Sequence, residues 1–139
     1  MFLVDTDVIS ETRKGKRCNA GVHAFFARAI TEQWNLHLSV IVLGELRQGV
    51  ERIRHRGDAV QARQLESWLQ QLSVQYTDSI LPFDQDMADL WGRLRVPHPE
   101  NPLDKQIAAT ALLYELTVVT RNVTHYAGTG VRILNPFSP

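Results

Sequence analysis

Apolar residues in this chain gather in runs of three or four, each followed by a stretch where they recur every third or fourth position. Phe2-Leu3-Val4 predicts a buried strand ending at Asp5, with a helix over residues 7–14 and a turn-rich break over 15–19. A helix is predicted over 20–34, with Val22, Phe25, Phe26, Ala29 and Ile30 spaced as a core stripe. Leu36-His37-Leu38-Ser39 reads as a second short strand. A long helix follows to about residue 56, and Gly57-Asp58 separates it from another that ends near 75. Ile80-Leu81 is a third strand. Asp84 is a natural N-cap for the next helix, and Phe83 is placed to staple onto Ala88. Residues 96–102, with three prolines, form a loop. A helix over 103–116, a strand over 117–120 and a last strand over 131–134 complete the pattern.

Short apolar strands separated by helices argue for an α/β fold: a short, mostly parallel sheet covered by helices on both faces. In such folds ligands collect beyond the carboxyl ends of the strands, so acids at those ends carry information. Asp5 ends the first strand and Ser39 the second, and Glu45 lies in the helix that Ser39 opens. Thr120 ends the fourth strand, and Asp104 lies in the helix leading into it.

Each acid has an ordinary structural explanation to set beside a functional one. Asp5 is a good helix cap, as are Thr6 and Asp7. Asp104 falls at the third helical position if Asn101 is the N-cap and Pro102 opens the helix, where an acid suits the dipole. Its neighbours at i+3, i+4 and i+7 are Ile107, Ala108 and Ala111, an inward-packing face. Glu45 is the least explained locally. Ile41 and Val42 share its face within an apolar segment, so its carboxylate is buried or half-buried unless an arginine pairs with it. Three acids at the inward ends of elements repel one another unless a cation sits between them. Hard oxygen ligands without a Cys or His cluster suit Mg²⁺ or Mn²⁺ rather than zinc, and such an ion serves phosphoryl chemistry.

Composition narrows the field. The 139 residues are enough for one domain and not for two, and 44% apolar content is that of an ordinary globular chain. Lys and Arg (15) balance Asp and Glu (15), so no global field recruits a polyanion and any RNA must be held by a local patch. Arg47, Arg52, Arg54, His55, Arg56 and Arg63 offer one, partly offset by Glu51 and Glu66. The lone Cys18 excludes an internal disulfide and a multi-cysteine zinc site, which suits a cytoplasmic location. The first residues lack the basic region of a secretory signal, and no stretch approaches the roughly 18 apolar residues of a membrane helix.

Four segments carry a family resemblance: Leu3-Val4-Asp5-Thr6-Asp7-Val8-Ile9-Ser10, Ser39-Val40-Ile41-Val42-Leu43-Gly44-Glu45-Leu46-Arg47-Gln48-Gly49, Pro102-Leu103-Asp104-Lys105-Gln106-Ile107-Ala108-Ala109-Thr110-Ala111 and Val119-Thr120-Arg121-Asn122. In this order they resemble the motifs of PIN-domain ribonucleases, above all VapC-type toxins of the FitB-like branch. The segments Ile80-Leu81-Pro82-Phe83-Asp84 and Gly130-Val131-Arg132-Ile133-Leu134-Asn135-Pro136-Phe137 extend the likeness over essentially the whole chain. The resemblance implies one PIN domain over residues 1–139, an α/β/α sandwich. It implies metal-dependent cleavage of RNA, a cognate antitoxin and a homodimer. By position the catalytic acids are Asp5, Glu45 and Asp104, with Asp5 and Asp104 holding Mg²⁺ (or Mn²⁺) and Thr6, Thr120 and Asn122 in support. The apolar helices offer a groove for an amphipathic antitoxin segment. Two departures stand out. Asp7 occupies a place where Asn is common, and the two places after Thr120-Arg121 where an additional Asp is frequent hold Asn122 and His125.

Two rival readings exist. Asp5-Thr6-Asp7-Val8 also fits the nucleophile motif of haloacid-dehalogenase-type phosphatases, but the late paired acids of that family are missing and the chain is short for it. The altered loop is also compatible with a PIN domain that binds RNA or an antitoxin without cutting.

Overall fold

The computed structural model describes residues 1–139. Its centre is β1 (Phe2–Val4), whose Leu3 and Val4 are fully buried because helices cover both faces of the sheet. β1 pairs in parallel with β2 (Leu36–Ser39) on one side, Phe2 opposite Leu36, and with β4 (Thr117–Val119) on the other, Leu3 opposite Val118. β3 (Ile80–Leu81) and β5 (Ile133–Leu134) form the edges, which gives the order β3-β2-β1-β4-β5. All four pairings are parallel, so the expected mostly parallel sheet is wholly so.

Six helices surround it: α1 (Thr6–Glu11), α2 (Ala20–Thr31), α3 (Val40–His55), α4 (Ala59–Gln75), α5 (Gln85–Leu94) and α6 (Pro102–Tyr114). α3 packs on α4 and α5 on α6. One core joins Leu3, Val4, Val8, Leu38, Val42, Ile107 and Val118 from the sheet and both helical layers. Side-chain caps fix most helix starts: Asn19, Ser39, Asp58 and Asp84 each accept from a backbone N–H of the following turn.

Several boundaries differ from expectation. The first helix spans Thr6–Glu11 instead of 7–14, and the chain continues in 3-10 turns over Thr12–Arg17, interrupted at Gly15 with φ of 57°. α2 stops at Thr31 because Gln33 turns into the left-handed region (φ 55°), so Trp34 lies outside the helix. Ile30 is not in the core stripe. It is 79% exposed at the rim of a cleft of about 690 Å³, lined also by Phe26, Trp34, Trp68 and Tyr76. Ala88 is exposed, so Phe83 has little there to staple onto. Asn101 is left-handed (φ 54°), the wrong geometry for a side-chain cap, and it makes none; Pro102 alone starts α6. Pairing of the last strand begins only at Ile133, past Gly130, which turns the chain at φ 80°.

Candidate active site

The acids meet because the elements carrying them end or begin at the carboxyl edge of the sheet. Asp5 leaves β1 and caps α1, its Oδ1 accepting from the Thr6 N–H at 2.8 Å. Capping does not exhaust it. Oδ2 accepts from the Thr120 hydroxyl just beyond β4 and from the Tyr126 phenol, both at 2.8 Å. Glu45 lies on α3, and its Oε1 accepts from the Thr6 hydroxyl at 2.8 Å, so Thr6 ties Asp5 to Glu45 through two different atoms. No arginine pairs with Glu45, which is half-buried as its apolar face predicts. Asp104, at the third position of α6, turns Oδ2 to His125 Nδ1 at 2.7 Å. Asp5, Glu45, Asp104, Thr6 and Thr120 are thus gathered as the sequence suggests. Asn122 contributes differently from expectation: its backbone N–H donates to the Thr120 hydroxyl at 3.0 Å, and its side chain makes no hydrogen bond.

Three further residues belong to this cluster. Asp7 accepts from the Arg121 N–H through Oδ2 at 2.9 Å, while its Oδ1 is buried without a partner. His125 and Tyr126 sit side by side in a 3-10 turn (Val123–Tyr126), one on Asp104 and the other on Asp5. Sequence reasoning noticed Asp7 and His125 but passed over Tyr126. The available signal was a Tyr six residues beyond the strand-end Thr120, inside the loop already suspected of completing the site.

The electrostatics follow from burial and like charge. Burial first, then the Asp104 charge, push Asp5 above the usual carboxylate range, against the hydrogen bonds from Thr120, Tyr126 and Thr6. Burial and the Asp5 charge raise Asp7 to about 6. Glu45 is raised by burial and by the charges of Asp5, Asp104 and Asp7, with the Thr6 bond opposing. Tyr126 is pushed far above an ordinary phenol, by burial and then by Asp5, so it keeps its proton and donates. No trio of His, Cys, Asp or Glu side chains stands at metal-ligating distances. The residues nonetheless fit a hard divalent cation in their chemistry: acceptor oxygens alone, mutually destabilised as anions, with one buried carboxylate oxygen unsatisfied.

Residues 2–127 match the model of the PIN domain. This chain belongs to the PIN-domain family. Its likeness to individual PIN proteins runs end to end. It is 33% identical to Toxin FitB of Neisseria gonorrhoeae across 99% of both chains, and 30% identical to a VapC ribonuclease of Sinorhizobium fredii across 100% of this chain and 99% of that one. The crystal structure of FitAcB from Neisseria gonorrhoeae superposes with a TM-score of 0.83 at 32% identity, covering 98% of each chain. The expected PIN architecture is thus the one observed, and the phosphatase reading of Asp5-Thr6-Asp7-Val8 gives way to it.

Proposed function

We propose that this PIN domain, spanning residues 1–139, is the toxin of a toxin–antitoxin pair and works as a metal-dependent endoribonuclease. The observation that carries the reading is the gathering of Asp5, Glu45 and Asp104 beyond the carboxyl end of the parallel sheet, linked through Thr6 and the 125–126 turn. Support comes from relatives named as a toxin and as a VapC ribonuclease, and from a FitAB structure bound to a DNA fragment, which pairs a like chain with a second protein. In this reading Asp5 and Asp104 hold Mg²⁺, or Mn²⁺ in its place, and Glu45 orients the attacking water. A cation bound there would supply Lewis-acid chemistry, polarising the phosphodiester, acidifying a water and steadying the leaving oxygen. The chain's own work is positional. Thr120 and Tyr126 aim Asp5, and Thr6 fixes Glu45 against it. RNA is the substrate, a cognate antitoxin the inhibitor, and a cytoplasmic homodimer that assembles further with antitoxin the working form.

Purified protein should cleave RNA with Mg²⁺ or Mn²⁺ and lose activity with EDTA. Asp5→Asn and Asp104→Asn should each abolish cleavage and growth inhibition while the protein still melts cooperatively. Full cleavage by either variant, or cleavage indifferent to EDTA, would overturn the proposal.

A further inference from the structure

The acceptor capacity of the four carboxylates is unevenly spent. A carboxylate has about four lone-pair sites. Asp5 has three engaged, one on Oδ1 and two on Oδ2. Glu45 has Oε1 held by Thr6, Asp104 has Oδ2 held by His125, and Asp7 has Oδ2 held by Arg121. That leaves one position on Asp5 Oδ1, with Glu45 Oε2 and Asp104 Oδ1 wholly unengaged, and Asp7 Oδ1 is buried without a partner. Neighbouring cationic side chains are turned elsewhere. Lys105 gives its ammonium to the Glu100 carbonyl, and Arg121 lays its guanidinium over the Phe137 ring. The side chain that meets Asp104 is an imidazole and not a further carboxylate.

The contact has a defined sense. An ionised carboxylate can only accept, so Nδ1 carries the hydrogen and donates. The turn that presents it is itself braced: the His125 N–H donates to the Asn122 carbonyl at 3.0 Å, and the Thr129 hydroxyl donates to the Tyr126 carbonyl at 2.6 Å. The His125 side chain is 40% exposed against 15% for Asp104, so the imidazole lies nearer solvent than the carboxylate it holds.

We propose that His125 is a positioning residue that locks Asp104 through Nδ1, directs Oδ1 to the cation, and holds this site to a single divalent ion. A carboxylate at position 125 would leave Asp104 unpinned and supply both the ligand and the charge for a second ion. The inference rests on the metal reading of the site given above.

The test is Mn²⁺ binding to the intact chain at fixed pH, followed by the electron paramagnetic resonance of free Mn²⁺. It needs no catalytic readout. Wild type should bind one ion per chain. His125→Ala should bind it about 10- to 100-fold more weakly, the usual effect of removing a residue that orients a ligand. His125→Asn, whose amide nitrogen lies near where Nδ1 does, should recover most of the affinity, and His125→Asp should raise the count to two. A thermal melt of each variant establishes that it is folded. Affinity unchanged in His125→Ala, no recovery in His125→Asn, or two ions in wild type would overturn the inference while leaving the metal reading intact. Wild type that binds no Mn²⁺ at millimolar concentration would overturn both.

Discussion

Replacing Gly21 with alanine tests how residues 136–139 are held against the body of the protein. Gly21 lies in the first turn of α2, and a Cβ built on it would sit 2.1 Å from the Pro136 carbonyl oxygen and 2.6 Å from the Ser138 nitrogen. Both are backbone atoms, so no side chain can swing aside; the tail must leave. Its departure breaks four hydrogen bonds: Asn19 Nδ2 to the Ser138 carbonyl, the Ser138 N–H and hydroxyl to Asn19 Oδ1, and the Gly21 N–H to the Ser138 hydroxyl. At about 1 kcal/mol each, their loss costs roughly 4 kcal/mol. Phe137, half-buried against the core and under the Arg121 guanidinium, adds about 2 kcal/mol. Against this, three or four freed residues regain about 1 kcal/mol each of backbone freedom, and alanine improves a helix over glycine by up to about 1 kcal/mol. The net expectation is a loss of about 1–2 kcal/mol, read by urea unfolding as a lower midpoint at constant slope. Deleting residues 136–139 first should reverse the sign, because only the helix-propensity gain is left. A Gly21→Ala chain at least as stable as wild type in the full-length background would refute the reasoning.

Other outcomes follow from the site. Asp7 is raised to about 6, so the folded chain holds its proton more tightly than the unfolded chain does; stability falls as the pH rises from 3.8 to about 6, and the full cost is present above that. In metal-free protein Asp7→Asn should therefore melt higher than wild type at about pH 8, the difference shrinking as pH falls toward the ordinary value of 3.8; a pH-independent difference would count against this. Tyr126→Phe keeps the ring but removes a hydrogen bond to a buried carboxylate, and should destabilise by about 1.5–3 kcal/mol in urea unfolding. A loss under about 0.5 kcal/mol would mean that Asp5 has another donor. Arg47 and Arg54 are both engaged by Glu51 and Glu66, whereas Arg52, Arg56 and Arg63 have no acidic partner. Removing those three arginines should flatten the salt dependence of RNA binding by about 0.7 for each phosphate they neutralise, and Arg47→Ala should hardly change it.

Much of this was legible in the sequence, for identifiable reasons. Buried parallel strands must be apolar throughout, so Phe2-Leu3-Val4 and Thr117-Val118-Val119 announce themselves, and the acids that end or face such runs stand out against them. Glu45 was readable because Ile41 and Val42 share its face. What stayed hidden depends on backbone geometry or on residues that meet from distant parts of the chain. Asn101 has the composition of a cap and the wrong φ. Ile30 has the period of a core residue but sits where α2 runs out, at an open cleft. The Tyr126 bond to Asp5 spans 121 residues, and nothing local to either residue signals it.

The placement of β1 between β2 and β4 has a consequence for synthesis. Asp5 is made well before the hydroxyls of Thr120 and Tyr126 that fix it, which come 115 and 121 residues later. Until they emerge, the central strand lacks its β4 neighbour, and Asp5 is a hydrated acid on an unfinished sheet. On the nuclease reading proposed for this site, this ordering is a form of delay. The site is completed only once residues 117–126 are made, so a nascent chain, or one truncated before residue 117, carries Asp5 without the groups that fix it.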